Sequence, residues 1–310
     1  MTLEDVSRML ADVNDETRVS NARHILVIDD GTPSARNAVW RAAYLARERG
    51  AELALLHSPS KGSAPGPAAS QAKIEALCAD LAQRLAVHVR PVAPGPDLVA
   101  DMRAASAGAD LLVIGTARSN PLRSLLGGTQ ADRVIRLCRV PTLVVRRPAI
   151  QRPASTGAAA PQMHYARALA AVDLTHEAQQ VLAAAAHYAP HARFEVVHAQ
   201  AARGWSRRKD KRPESHAGPN AMDAALARLD EIVAAALPGP VATSVRYGDA
   251  AEAVLARQRA IAAELIVIGK RQRGLLADFL LGGVTRAVLA GSEADVLIVP
   301  TEPETAAARG

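Results

Sequence analysis

The segment Asp110-Leu-Leu-Val-Ile-Gly115 recurs 154 residues later as Glu264-Leu-Ile-Val-Ile-Gly269. Each copy is a short apolar run, rich in branched side chains, that ends at a glycine. Such runs are typical of strands in a parallel sheet that helices cover on both faces. A repeat at this distance indicates two similar domains, called here the first half and the second half.

Three further apolar segments occur twice in the same chain order. The pairs are His24–Asp30 with Ala168–Asp173, Leu53–His57 with Phe194–His198, and Val140–Val145 with Ala294–Val299. Helical stretches lie between the strands, and in the first half they span Ser34–Arg49, Gln71–Leu85, Leu98–Ala107 and Ala131–Leu137. Strands that alternate with helices predict right-handed βαβ units and a doubly wound α/β fold in each half.

A fifth strand in each half is predicted at Val87–Val92 and at Val241–Tyr247. Both segments alternate apolar with polar residues. Pro91 in the first of them favours the edge of the sheet, because proline cannot donate a hydrogen bond to a central ladder. Each half is therefore predicted to hold a five-stranded parallel sheet.

The repeat also sets the domain plan. An N-terminal extension is predicted at residues 1–21, with the two domains at 22–147 and 164–300. A Pro- and Ala-rich linker joins them at 148–163, and a tail follows at 301–310. The offset between repeats grows by 13 residues between His198 and Glu264, which predicts an insertion at 201–219.

The composition predicts a soluble protein of the cytoplasm. Of 310 residues, 49% are apolar and 22% are charged, so the chain can bury a core. No apolar run approaches the roughly 18 residues of a membrane helix, so no membrane contact is expected. Met1–Asn21 lacks the basic start and apolar centre of a signal peptide. Two cysteines are too few for a disulfide framework or a metal cluster.

The net charge of +6 raises the question of nucleic-acid binding. Most of the excess lies within 203–216, which holds six basic and two acidic residues. One charged insertion with a single aromatic residue, Trp205, is more typical of a solvated loop than of a nucleic-acid surface. Nucleic acid is therefore not expected as a partner, and protein partners stay unidentified.

Polar and small residues follow the strands at the edge where a doubly wound sheet binds its ligands. The candidates in the first half are Asp30, Thr32, Ile114, Gly115, Gly128 and Thr129. Those in the second half are Asp173, Ile268, Gly269, Gly282, Gly283, Val284 and Thr285. A carboxylate can accept hydrogen bonds from a ribose or adenine group. Glycines before a helix let backbone N–H groups approach a phosphate closely.

These motifs resemble those of the universal stress protein family. The resemblance rests on Asp-Gly-Thr at 30–32, on Leu-Leu-His at 55–57, and on loops of 13 residues from Gly115 to Gly128 and from Gly269 to Gly282. It covers nearly the whole of both halves and implies a tandem member of that family. It further implies the strand order 3-2-1-4-5 and pairing of the halves through their last strands as a pseudo-twofold dimer. ATP with Mg²⁺ is the implied ligand, and stress survival and signalling the implied role.

Departures from the family loop leave nucleotide binding open. Its middle glycine is Arg118 in the first half and Gln272 in the second, and a side chain there crowds a phosphate. The residue after the last glycine is Thr129 in the first half but Gly283 in the second. The first half keeps more of the pattern and ranks slightly ahead as the nucleotide site.

Three functions remain open at this point. The favoured one is a regulatory module that binds ATP or a related adenine nucleotide. The first alternative is a degenerate scaffold that acts through protein contacts alone. The second, less favoured, is a nucleotide hydrolase of the adenine-binding α/β group. No catalytic residue is assigned, because the chain shows neither a nucleophile elbow nor a motif that places a general base, so slow ATP hydrolysis is the most that is expected.

Several candidate residues have structural interpretations as well. Asp30 and Asp173 are equally compatible with a role as nucleotide ligands and with a role as turn residues or helix N-caps. His57 and His198 end buried strands without a second ligand nearby in sequence, so no metal site is assigned. Lys270 either faces a phosphate or belongs to a solvated loop, and the solvated loop is slightly favoured. Further homodimerisation of the tandem chain is left open.

Overall fold

The computed structural model describes residues 23–58, 67–93, 98–116, 130–149, 164–200, 219–271 and 281–301. The predicted N-terminal extension lies outside these ranges, as do nearly all of the linker and of the basic insertion. Within them, no helix combines the length and the apolar character needed to cross a membrane.

The first half alternates strands with helices. Its elements are β1 (His24–Asp29), α1 (Pro33–Arg49), β2 (Glu52–His57), α2 (Pro67–Leu85), β3 (Val89–Val92), α3 (Leu98–Ser106), β4 (Leu111–Gly115), α4 (Gln130–Leu137) and β5 (Thr142–Val145). The predicted strands are confirmed to within two residues at each end.

The second half repeats this alternation. Its elements are β6 (Arg167–Val172), α5 (Glu177–Tyr188), β7 (Arg193–Gln200), α6 (Pro219–Ala236), β8 (Ala242–Tyr247), α7 (Ala250–Ala260), β9 (Leu265–Arg271), α8 (Gly283–Gly291) and β10 (Asp295–Thr301).

The ten described strands form one sheet in the order β3-β2-β1-β4-β5-β10-β9-β6-β7-β8. The order 3-2-1-4-5 therefore occurs twice, as predicted. Strands within each half are parallel, whereas β5 and β10 run antiparallel with Leu143 opposite Leu297. This pairing relates the halves by a pseudo-twofold axis and confirms the predicted contact between their last strands. The edge strands are β3, which contains Pro91, and β8.

Side chains of the sheet enter two apolar layers, one on each face. Along β1, Ile25 and Val27 belong to one layer, whereas Leu26 and Ile28 belong to the other. A strand that is buried on both faces needs apolar side chains at successive positions, which accounts for the uninterrupted runs in the sequence. The thiol of Cys138 is buried in the second of these layers and forms no disulfide.

A buried carboxylate joins the halves beside the antiparallel strand pair. Asp295, which is 0% exposed, accepts hydrogen bonds of 2.7 Å from the backbone N–H groups of Arg146 and Arg147. It also accepts one of 2.8 Å from the hydroxyl of Tyr165. Arg41 Nε lies 3.5 Å from the same carboxylate, and its guanidinium lies 5.1 Å from the ring centroid of Tyr165. Burial and the charge of Asp295 raise the pKa of Tyr165 far above its usual range, so its phenol stays a donor.

Each half also places a cation at the end of a helix of the other half. Arg146 Nη1 donates to the carbonyl of Ser292, 2.8 Å away, at the end of α8. The ammonium of Lys270, at the end of β9, donates to three carbonyls at the end of α4, those of Ile135, Arg136 and Cys138. A cation there satisfies carbonyls that lack a helical partner and complements the helix dipole. Lys270 is therefore buried between the halves, and its interpretation as part of a solvated loop is wrong.

Candidate functional site

The second half arranges its candidate residues around one cavity. This cavity has a volume of about 620 Å³ and lies at the carboxyl ends of β6, β7 and β9. All of the candidates from this half line it: Asp173, Ile268, Gly269, Gly282, Gly283, Val284 and Thr285. These residues come from three separate stretches of the chain, which the parallel sheet brings to the same edge.

Part of the cavity wall is apolar. Val172, Val197 and Ile268 contribute from the strands, and Val181 and Val254 contribute from helices α5 and α7. Ligand pockets are commonly lined in this way, with a few polar groups that fix the orientation of the ligand. The apolar part of the wall therefore suits a ring or another weakly polar group.

Exposed backbone forms another part of the cavity wall. Gly282 is the N-cap of α8, so no side chain caps the first turn of this helix. A Cβ added to Gly283 would meet no heavy atom within 4 Å, and one added to Gly282 would meet Thr285 Oγ1 at 3.9 Å. The first N–H groups of a helix have no acceptor within it and stand at the positive end of its dipole. An anionic group such as a phosphate can bind here.

The two candidate aspartates form the same kind of turn. Asp173 Oδ1 accepts hydrogen bonds from the backbone N–H and the hydroxyl of Thr175. Asp30 Oδ1 likewise accepts from the N–H of Thr32 at 3.0 Å and from its hydroxyl at 2.6 Å. The interpretation as turn residues therefore holds for both, although Asp173 also lines the cavity.

Charged groups of the described cavity wall are mainly carboxylates. Asp173 and Glu177 line it, and Glu177 Oε2 accepts a hydrogen bond of 3.4 Å from the hydroxyl of Thr301. Lys270 also contributes to the wall, but its ammonium binds the end of α4. These carboxylates would repel an anionic ligand, so its binding in the cavity would need a cation that offsets the repulsion. The sequence does not reveal Glu177 or Thr301 as cavity residues, because neither belongs to a motif.

The first half differs at the equivalent place. A Cβ added to Gly115 would lie 2.1 Å from the carbonyl oxygen of Ser34, in the first turn of α1. At Gly269 the nearest atoms would be side-chain carbons of Val181 at 3.1 Å and of Thr301 at 3.4 Å. The backbone of α1 therefore closes over the end of β4, whereas the end of β9 opens into the cavity.

A buried carboxylate further distinguishes the first half. Asp29 is 1% exposed, and its Oδ2 lies 3.3 Å from His57 Nδ1 and 3.6 Å from Arg36 Nη2. Val172 occupies the equivalent position of the second half and lines the cavity there. Sequence analysis missed Asp29 because the family motif begins at the next residue, Asp30.

The remaining first-half candidates are only partly described. Ile114 is buried at the end of β4, and Thr32 caps α1 by accepting a hydrogen bond of 3.2 Å from the backbone N–H of Ala35. The candidates Gly128 and Thr129 lie outside the described residues, as do the two side chains at the middle position of the loops, Arg118 and Gln272.

Comparison with known proteins agrees with this architecture. The sequence profile of the universal stress protein family matches residues 21–146 and again residues 164–300. The chain belongs to the universal stress protein family, as a tandem member that carries the domain twice. No curated protein matches the chain at a significant level.

Solved structures share the fold over nearly the whole chain. A universal stress protein from Archaeoglobus fulgidus DSM 4304 is 18% identical, with a TM-score of 0.64 over 91% of this chain and 97% of its own. A protein of Pseudomonas aeruginosa UCBPP-PA14 assigned to the same family is 20% identical, with a TM-score of 0.63 over 90% of this chain and 94% of its own. At these identities the likeness establishes the fold of both halves.

Proposed function

We propose that the chain is a cytoplasmic regulatory protein of the stress response that binds ATP with Mg²⁺ in the cavity of its second half. The observation that carries this proposal is the polarity of the cavity. Valine and isoleucine side chains form part of the wall, and the glycine backbone at the start of α8 forms another part. An adenine nucleotide has the same polarity, with a flat ring at one end and phosphates at the other.

The second half is preferred over the first, although the sequence ranks the first slightly ahead. In the first half, the backbone of α1 approaches Gly115 so closely that not even a Cβ would fit. The buried carboxylate of Asp29 stands where the second half has the apolar side chain of Val172. These features favour a structural role for the first half.

The metal ion has oxygen ligands available in the proposed site. Mg²⁺ is usually held by one or two carboxylates together with the phosphates of its nucleotide. Asp173 and Glu177 supply carboxylates on the cavity wall. The ion would therefore offset the repulsion between these carboxylates and the triphosphate.

Replacing Gly283 by aspartate is expected to weaken ATP binding at least about tenfold, which corresponds to about 1.4 kcal/mol. The new side chain has room, and an acidic residue in the first turn favours the helix, so the fold should be retained. Its carboxylate would stand where the phosphates bind and would repel them. Isothermal titration calorimetry with ATP and Mg²⁺ measures the effect.

Gly108→Asp is the matched control, because that glycine also has open space around it and lies in the turn before β4. Adenosine provides a second control, since it lacks phosphates and should lose less affinity than ATP for the Gly283→Asp variant. Equal ATP affinity in both variants, or no binding by the wild type at millimolar ATP, would contradict the proposed site.

A further inference from the structure

A second cluster of ligand-type side chains lies at the amino ends of the strands, away from the nucleotide cavity. Glu48 stands in the last turn of α1, in the first half. His164 and His191 precede β6 and β7 of the second half. Glu48 Oε1 is 3.2 Å from His164 Nδ1 and 3.5 Å from His191 Nε2. Their ligand atoms all lie within 4.8 Å of one another.

The two separations between the carboxylate oxygen and the imidazole nitrogens suit a tetrahedral metal ion. With bonds of about 2.0–2.1 Å to zinc, neighbouring ligand atoms stand about 3.3–3.4 Å apart. Both distances from Glu48 Oε1 are close to this value, and the histidine rings already meet edge to face with centroids 4.8 Å apart. Two imidazole nitrogens and one carboxylate oxygen are a known zinc ligand set, with water in the fourth position.

The cluster can be reached from solvent. Glu48 and His191 line an open depression of about 620 Å³. The side chains of His164 and His191 are 45% and 62% exposed, whereas that of Glu48 is 14% exposed. A metal ion could therefore bind without rearranging the core, on a carboxylate that the fold already holds in place.

The guanidinium of Arg49, the residue after Glu48, contacts other side chains. Its Nη1 lies 3.0 Å from His187 Nε2, and its guanidinium lies 5.1 Å from the ring centroid of Tyr188. Tyr188 in turn donates a hydrogen bond of 2.8 Å to the carbonyl of Asp110. Arg49 thus makes its hydrogen bond to another part of the contact between the halves, although its charge and that of Glu48 also attract each other. Glu48 is the acidic partner of the two histidines.

We propose that Glu48, His164 and His191 bind Zn²⁺ and that the ion ties the two halves together. One ligand comes from the first half and two come from the second, so the bound ion cross-links them near the linker. The site is distinct from the nucleotide cavity and does not depend on nucleotide binding. Sequence spacing does not indicate it, because the three ligands come from distant parts of the chain.

Zn²⁺ titration of the full-length chain, stripped of metal with a chelator, is expected to show one ion bound per chain. His164→Ala and His191→Ala should each weaken binding at least about 10-fold to 100-fold, since loss of a group that merely orients a ligand already costs that much. Glu48→Gln, which keeps the shape of the side chain, should also weaken it. Zn²⁺ should raise the Tm of the wild type, because a ligand of the folded state stabilises it.

A double variant, His88→Ala with His176→Ala, is the matched control, since both histidines are exposed and lie elsewhere. It should bind Zn²⁺ as the wild type does. Unchanged Zn²⁺ affinity in the site variants, or no binding by the wild type at excess Zn²⁺, would overturn the proposal. So would site variants that lower the Tm equally with Zn²⁺ and with chelator, because the cluster would then be an ion-pair network alone.

Discussion

Asp295→Ala is expected to lower the free energy of unfolding by about 3–5 kcal/mol, the cost of breaking a buried charge network by removing one partner. The substitution removes the acceptor of two backbone N–H groups and of the Tyr165 hydroxyl. It also removes the carboxylate beside the buried guanidinium of Arg41. Chemical denaturation followed by circular dichroism measures the loss.

Asp249→Ala is the matched control for this prediction. Asp249 also accepts hydrogen bonds from two backbone N–H groups, those of Ala251 and Glu252, but it is an exposed N-cap of α7. Its replacement is expected to cost about 0.5–2 kcal/mol. Equal losses for the two variants would mean that the network between the halves adds nothing beyond two backbone hydrogen bonds.

Gly115→Ala is expected to destabilise the chain by about 3 kcal/mol, at the upper end of what an added methyl group costs in a packed core. The new Cβ would lie 2.1 Å and 2.4 Å from the carbonyl oxygen and carbon of Ser34, and 2.7 Å from the nitrogen of Ala35. All three are backbone atoms, which cannot rotate away as a side chain can. The start of α1 must therefore shift, and thermal or chemical denaturation should report the loss.

Gly269→Ala, the same change at the equivalent position of the second half, should cost less than about 1 kcal/mol. Its Cβ would meet side-chain carbons of Val181 at 3.1 Å and of Thr301 at 3.4 Å, and these can adjust. Similar losses for the two alanine variants would show that the halves do not differ at this place as described. The asymmetry that favours the second half as the nucleotide site would then be lost.

The fold could be predicted from the sequence because its signals are local and occur twice. The apolar runs mark strands buried on both faces, and Pro91 marks an edge strand. The pairing of β5 with β10 could be predicted only from the resemblance to a family. The residues of both strands are apolar and do not indicate which strand lies beside them. The structure confirms that pairing.

Seven residues that line the second-half cavity could be named from the sequence, but Glu177, Thr301 and the difference between the halves could not. The difference depends on where the helix after the first strand begins. Thr32 caps α1 and proline follows at once, so that helix starts directly above the end of β4. In the second half, α5 begins one residue later relative to its aspartate, after His176, which makes no side-chain cap. A shift of one residue is below what sequence patterns resolve.

The environment of Lys270 was also hidden from the sequence. Basic neighbours in the chain favour a solvent-exposed position for Lys270. Its ammonium instead donates to carbonyls at the end of α4 in the other half. Contacts between residues more than a hundred positions apart leave no local pattern. The cluster of Glu48, His164 and His191 cannot be predicted from the sequence for the same reason.

Joining β5 to β10 within one chain makes the pairing of the halves independent of protein concentration. Two separate domains that associate in this way would dissociate on dilution and could exchange partners, because mass action governs their assembly. A linker converts that encounter into an intramolecular step with a high effective concentration. The strands left at the edges are the four-residue β3 with its proline and the largely polar β8, which are poor templates for adding a further strand. Both edges of the described ten-stranded sheet therefore disfavour the addition of a further strand.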